Sequence, residues 1–131
     1  MTTTTKLIIV FFCLVLSVVG FIIKIPVPLR GHDKLLHTSF YFLAAAFLHL
    51  LFPKRFFIIM ISLALFGVAI EYLQQLANQV THSHIHGRFD KEDIFANLKG
   101  LALYAALALV IFGAKRVYRI SNPKHGAPNP E

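Results

Sequence analysis

The feature that most constrains the fold of this chain is an apolar run of 17 residues, positions 7–23, that contains no charge. A helix rises about 1.5 Å per residue, so this run nearly crosses a hydrocarbon core of roughly 30 Å. Three further apolar runs follow, and 56% of the 131 residues are hydrophobic, more than a soluble domain of this size normally carries. The sequence therefore predicts an all-α membrane protein, a four-transmembrane-helix bundle. The predicted helices lie at about 7–25, 35–52, 55–77 and 93–113.

Short polar or proline-containing segments separate the runs within a single predicted domain, residues 1–120. Residues 25–28 contain two prolines, which lack an amide donor and restrict the preceding residue, so the first helix is expected to end there. A turn at Pro53 separates the second and third helices. Residues 121–131 are rich in Pro, Gly and Asn, which is typical of a disordered tail, here cytoplasmic. A cleaved signal peptide is the rival interpretation of the first run, but only one lysine precedes it and its cleavage sequence is poor.

The basic residues lie at the ends of the apolar runs and form no stripe, so the net charge of +7 does not predict nucleic-acid binding. With four spans, the side that holds both termini carries seven basic residues and one acid: Lys6, Lys54, Arg55, Lys115, Arg116, Arg119, Lys124 and Glu131. The other side carries six basic residues and five acids: Lys24, Arg30, Lys34, Arg88, Lys91, Lys99, Asp33, Glu71, Asp90, Glu92 and Asp93. Short flanking segments rich in Lys and Arg favour the cytoplasm. We therefore expect a multi-pass protein of the cytoplasmic membrane with both termini cytoplasmic.

A first polar cluster precedes the second helix and contains Asp33, Lys34 and His37, with Tyr41 one turn further on. Spacing of four places Asp33, His37 and Tyr41 on one helical face. An aspartate one turn before a histidine can orient the imidazole and select its tautomer. The alternative is that Asp33 is only the N-cap of the second helix.

Two further polar clusters occur at the same side of the predicted bundle. Glu71 and Gln74 follow a long apolar run, and an ionisable group at that depth is costly unless it is paired or hydrated. In the fourth helix one face carries Asp93, Asn97, Gly100 and Tyr104. The alternatives are that the third helix ends at Glu71 in the interface, that Asp93 is an N-cap, and that Asn97 and Gly100 serve helix packing.

The order of these motifs resembles the VanZ-like family. The matching positions are Asp33, Lys34, His37, Glu71, Gln74, Arg88, Asp93, Asn97 and Gly100. The resemblance implies a small integral membrane protein linked to resistance against glycopeptide antibiotics. The candidate ligand-binding residues are Asp33, Lys34, His37, Glu71, Gln74, Arg88, Asp93 and Asn97. The resemblance brings no settled reaction, ligand or cofactor. A histidine-rich loop before Arg88 departs from the family pattern.

The chain is expected to hold no cofactor. His82, His84 and His86 alternate in that loop and are common types of metal ligand, but a solvated loop explains them without a metal. Cys13 is the single cysteine and cannot form an intrachain disulfide or a thiol pair. His49, inside the second helix, is expected to be a packing residue.

Two classes of function fit these residues. In the first, a binding or accessory protein holds a cell-envelope lipid or glycan precursor at the outer face of the cytoplasmic membrane. Lys34, His37 and Arg88 would then contact phosphate or carboxylate, and Glu71, Gln74 and Asn97 would contact sugar or amide groups. In the second, a membrane-embedded hydrolase or transferase acts on a lipid-linked substrate, with His37 or Glu71 as general acid or base. The chain lacks a recognisable nucleophile elbow or zinc-protease motif, and the sequence predicts no particular oligomeric state.

Overall fold

Four α-helices make up the structure, a computed structural model that describes residues 1–22, 32–81 and 90–122, with only the backbone of Thr81. They are α1 (Thr3–Ile22), α2 (Asp33–Leu51), α3 (Phe56–Thr81) and α4 (Lys91–Ser121). These ranges contain no β-strand. All four helices are long and apolar enough to cross a membrane. The predicted fold class, an all-α membrane protein with a four-helix bundle, is confirmed.

The last two helices are longer than the hydrophobic pattern predicted. α3 continues to Thr81 instead of ending near residue 77, and α4 continues to Ser121 instead of residue 113. The extension of α4 contains lysine and arginine, which are good helix formers in an exposed helix. With 31 residues, α4 is roughly 46 Å long and exceeds the hydrocarbon thickness. Of the predicted tail, Ser121 belongs to α4, Asn122 is its C-cap, and residues 123–131 lie outside the described residues.

The contacts between helices define an up-down-up-down bundle. Lys6 Nζ of α1 donates to the Leu51 carbonyl oxygen at the end of α2, at 2.6 Å, so these two helices are antiparallel. The two termini of the described chain and the turn at Pro53 therefore share one end, the terminal end. The opposite end, where α1 and α3 finish and α2 and α4 begin, is called the polar end below.

The closest packing joins α2 and α4, which run parallel to each other. Gly100 makes this possible, because a Cβ atom there would collide with the carbonyl oxygen of Thr38. Thr38 Oγ1 in turn donates to the Ala96 carbonyl oxygen at 3.1 Å. Small residues at such a crossing let two backbones approach within a membrane. The pair forms the rigid frame on which the polar end is built.

The outward faces of the helices are apolar. No residue of α1 is buried, and large side chains such as Phe11, Leu43, Ile61 and Val110 are exposed. A soluble protein rarely exposes apolar surface on this scale. Hydrocarbon would cover these faces in a bilayer, so the chain is a multi-pass membrane protein.

Candidate functional site

Five polar side chains are buried together at the polar end, and we call them the polar cluster. Its members come from α2, α3 and α4: His37, Glu71, Gln74, Asp93 and Asn97. Ionisable groups inside a membrane helix bundle are expensive and usually face a partner or a water-filled cavity. The burial of three ionisable groups and two amides in one place marks this end of the bundle as the candidate site.

His37 is held in a defined orientation by α4. Its Nδ1 lies 2.8 Å from Asn97 Oδ1, and an amide oxygen only accepts, so the Nδ1–H donates. In the neutral imidazole the Nε2 atom then carries the lone pair. Nε2 lies 3.7 Å from Asp33 Oδ1, one helical turn earlier. The i, i+4 spacing therefore places a carboxylate beside the free nitrogen of a buried histidine.

Glu71 is almost completely buried, with 2% of its surface exposed, and is only partly satisfied. Its Oε2 accepts from the Asp90 backbone N–H at 3.4 Å, which is a long bond. Its Oε1 has no hydrogen-bond partner among the described residues, and neither do Asn97 Nδ2 and Tyr41 Oη. Buried polar atoms without a partner point to a water molecule or ligand at the site.

Gly67 of α3 lies beside two of these unpaired atoms, Asn97 Nδ2 and Tyr41 Oη. A Cβ atom at this position would lie 3.0 Å from Asn97 Nδ2 and 3.2 Å from Tyr41 Oη. The absence of a side chain therefore lets α3 approach both polar groups.

Contrary to the alternative interpretation of each, Asp33 and Asp93 are not the N-caps of α2 and α4. His32 occupies the N-cap of α2 without a side-chain hydrogen bond, and Asp33 is the first helical residue. Asp90 is the N-cap of α4, and its Oδ1 accepts from the Glu92 N–H at 2.8 Å. Interpreting Asp33 and Asp93 as N-caps is therefore wrong. Both carboxylates lie in the first turn of a helix, where the dipole favours negative charge.

Asp33, His37 and Asp93 form a compact group of ligand-type atoms. One atom from each residue lies within 4.8 Å of the other two. Asp93 and His37 are buried, whereas Asp33 is half-buried. The sequence predicted that Asp33, His37 and Asp93 converge on one pocket, but it did not predict that they form one group of metal-ligand atoms, because the spacing within a helix does not fix the distance to a neighbouring helix.

A groove of about 430 Å³ opens beside this group, between α1, α2 and α3. Its polar lining is at one end and consists of Asp33, His37 and Gln74, with Ser17 further along. Leu16, Gly20, Phe21, Leu36 and Phe40 form the apolar walls. A second cavity of about 480 Å³ shares Leu16, Ser17 and Phe40 with the first and continues along α1 toward Val10. We refer to both together as the groove.

Phe21 of α1 contacts Gln74, His37 and Phe40 at the polar end of the groove. Gln74 Nε2 donates to the Phe21 carbonyl oxygen at 2.9 Å. The Phe21 ring lies 5.0 Å from the His37 ring and meets Phe40 edge to face at 4.9 Å. Sequence analysis missed α1 as part of the site, because an uninterrupted apolar run carries no polar residue that would single it out.

The structure brings most, but not all, of the predicted site residues together. Asp33, His37, Glu71, Gln74, Asp93 and Asn97 meet at the polar end. Lys34 instead forms an ion pair with Glu92, and both side chains are well exposed. The remaining predicted residues lie outside the described residues: Arg88, His82, His84 and His86.

Comparison with known proteins finds no significant match among protein-family models, curated proteins or solved structures.

Proposed function

We propose that this chain is a VanZ-like protein of the cytoplasmic membrane that binds a cell-envelope lipid or glycan precursor at the outer face. The observation that carries the proposal is the groove, whose apolar walls within the bundle lead at one end to Asp33 and to two members of the polar cluster, His37 and Gln74. The resemblance to the VanZ-like family supplies the cell-envelope setting and a link to glycopeptide resistance.

The groove has a long apolar part and a polar end, as a membrane lipid has hydrocarbon chains and a polar headgroup. Its length follows α1 from Val10 to Phe21, so a hydrocarbon chain fits along the part that lies among apolar side chains. The headgroup would then lie at Asp33, His37 and Gln74. Binding sites for small molecules commonly combine mostly apolar walls with a few orienting polar groups. A lipid-linked precursor has both parts in this order.

The polar end suits hydroxyl and amide groups. Asn97 Nδ2 is an unpaired donor and Glu71 Oε1 an unpaired acceptor among the described residues. A sugar or peptide headgroup supplies donors and acceptors of both kinds. Leaving such buried groups unpaired costs about 1–3 kcal/mol each. Neither residue lines the groove itself, so a headgroup held at Asp33, His37 and Gln74 would pair them through bridging water.

The charge distribution of the bundle supports the orientation. Among the described residues, the terminal end carries basic side chains only: Lys6, Lys54, Arg55, Lys115, Arg116 and Arg119. All five acids of the described ranges lie toward the polar end: Asp33, Glu71, Asp90, Glu92 and Asp93. The positive-inside rule then favours cytoplasmic termini and an outward-facing groove.

Lipid analysis tests the proposal directly. Gly20 lines the groove, and a Cβ atom there meets nothing within 4 Å, so Gly20→Phe fills the groove without a backbone clash. Gly113, whose Cβ position is equally open, lies outside the groove, and Gly113→Phe is the matched control. Each variant is extracted in copolymer nanodiscs and its lipids are identified by mass spectrometry. Overpacking by a few kcal/mol should lower retention of the selected lipid about tenfold or more in Gly20→Phe only.

Two results would contradict lipid selection. One is that the lipids bound to the wild-type protein have the same composition as the lipids of the surrounding membrane. The other is an enriched lipid that Gly20→Phe retains as well as Gly113→Phe does.

A membrane-embedded hydrolase or transferase is the second candidate, and the free Nε2 of His37 favours it. This atom lies beside Asp33 at the headgroup end of the groove, where a general base would act. Incubation of the purified protein with its copurified lipid distinguishes the two. Turnover that His37→Gln abolishes would identify an enzyme, whereas an unchanged lipid would identify a binding protein.

A further inference from the structure

We propose that the polar end binds one divalent first-row metal ion through Asp33, His37 and Asp93, with Zn²⁺ as the best-matched probe. The three ligand atoms lie within 4.8 Å of one another. One imidazole and two carboxylates form a typical nitrogen and oxygen donor set for zinc. Three protein ligands also leave one position of a tetrahedral ion open.

The distances are close to those of a formed site. Metal–ligand bonds of about 2.0–2.2 Å place neighbouring ligand atoms of a tetrahedral zinc ion roughly 3.3 Å apart. His37 Nε2 and Asp33 Oδ1 are already 3.7 Å apart on adjacent turns of α2. Asp93 arrives from α4, the helix that Gly100 holds against α2. The other ligand atoms lie within 4.8 Å, so reaching tetrahedral spacing needs shifts of at most about 1.5 Å between side-chain atoms.

Asn97 supports this role of His37. A metal-bound histidine almost always donates its second N–H to an oxygen acceptor, which fixes the ring and its tautomer. His37 Nδ1–H donates to Asn97 Oδ1 at 2.8 Å, and this leaves Nε2 for a metal. The bond is buried, so water does not compete for it.

The negative charge of the buried carboxylates is a second reason to expect a cation, separate from the ligand geometry. Glu71 is almost fully buried, with 2% of its surface exposed. Its Oε1 lacks a partner among the described residues. The carboxyl group also interacts electrostatically with His37 and Asp93. Lys34, which also acts on Asp93, forms its ion pair with exposed Glu92. Buried carboxylates that interact electrostatically are costly unless a cation or a proton neutralises them. A divalent ion at the three ligands would offset that cost.

The open position of the ion would face the groove, since Asp33 and His37 line its end. Phosphate or carboxylate oxygen of a headgroup is the ligand chemistry that such a position takes. This last step rests on the proposed lipid-binding function, whereas metal binding itself does not.

The test measures metal binding without lipid. The protein carries a tag without histidines and has His82, His84 and His86 replaced by serine, so the loop contributes no ligand. After removal of metals by a chelator, Zn²⁺ is titrated against a fluorescent zinc indicator. We expect one equivalent to bind. His37→Ala and Asp93→Asn should each weaken binding by more than about 100-fold, and Asn97→Ala by about 10–100-fold.

Glu92→Gln is the matched control, because it removes a carboxylate from the same turn of α4 as Asp93 but from an exposed ion pair. Its zinc affinity should equal that of the parent. Co²⁺ absorbance of the parent protein reports nitrogen and oxygen ligation and needs no variant, so the proposal stays testable if a variant fails to fold.

Two results would overturn the metal site. The first is no bound equivalent of Zn²⁺ in the parent. The second is affinity that persists in both His37→Ala and Asp93→Asn. Zinc binding with no lipid selected would retain the metal site and reject the lipid proposal.

Discussion

At the scale of single residues, two histidines of α2 show how packing differs from a site. His49 has both ring nitrogens satisfied, since its Nε2–H donates to the Pro53 carbonyl oxygen at 3.1 Å and its Nδ1 accepts from the Tyr104 hydroxyl at 2.7 Å. His37 lines the groove and has one nitrogen bonded to Asn97, while the other lies 3.7 Å from Asp33 Oδ1. His49 therefore fits a structural role, and His37 fits a chemical one.

Removing the hydroxyl of Tyr104 tests the structural role of His49. Tyr104→Phe deletes one hydrogen bond between α2 and α4 and should lower the free energy of unfolding by about 0.5–1.5 kcal/mol. Tyr118→Phe is the control, because Tyr118 lies on the same helix and is 61% exposed. Unfolding in mixed detergent micelles gives both values. Equal stability of the two variants would mean that the bond contributes nothing measurable.

At the scale of helices, close packing of α2 against α4 decides which polar residues meet. The spacing of four predicted that Asp93, Asn97, Gly100 and Tyr104 share a face of α4, and the structure buries all four. The partner of that face did not follow from the sequence, because apolar surface gains little by contacting another helix instead of lipid. Local fit at Gly100 selects α2 as the neighbour.

Adding one methyl group at Gly100 tests that dependence. Gly100→Ala forces the backbones of α2 and α4 apart at Thr38, and we expect a loss of about 1–3 kcal/mol in the free energy of unfolding. Gly113→Ala is the control, since its Cβ has open space and alanine favours a helix by about 0.5–1 kcal/mol over glycine. The same micelle assay compares them. A Gly100→Ala protein as stable as the Gly113→Ala protein would show that this contact is not limiting.

Other features of the site depended on three-dimensional contacts that periodicity does not encode. Lys34 was expected to face a ligand, yet Glu92 is near enough on α4 to pair with it. The cap of α4 is Asp90 and not Asp93, although both precede or begin the same apolar run. α1 forms a wall of the groove without contributing any charged residue. Periodicity thus predicted which residues share a face of a helix. Which helix packs against that face depends on the fit of side chains, which periodicity does not encode.

At the scale of the whole molecule, the bundle separates its charges between two ends. The end with both termini of the described chain has basic side chains such as Lys54 and Arg55, while the polar end combines acids with Lys34, Lys91 and Lys99. A positively charged flank is retained in the cytoplasm during insertion. This asymmetry is the physical basis for the proposed outward-facing orientation of the groove.

Cysteine labelling tests this orientation. Cys13 is the single cysteine and lies in α1, so Cys13→Ser gives a cysteine-free background for Lys54→Cys and Lys91→Cys. Both lysines are exposed and lie at opposite ends of the bundle. In right-side-out membrane vesicles, an impermeant maleimide should label Lys91→Cys at once and Lys54→Cys only after permeabilisation. The reverse pattern would place the groove at the cytoplasmic face. An outer-face precursor could then not be its ligand, whereas the metal site, which depends only on the contacts of α2 with α4, would be unaffected.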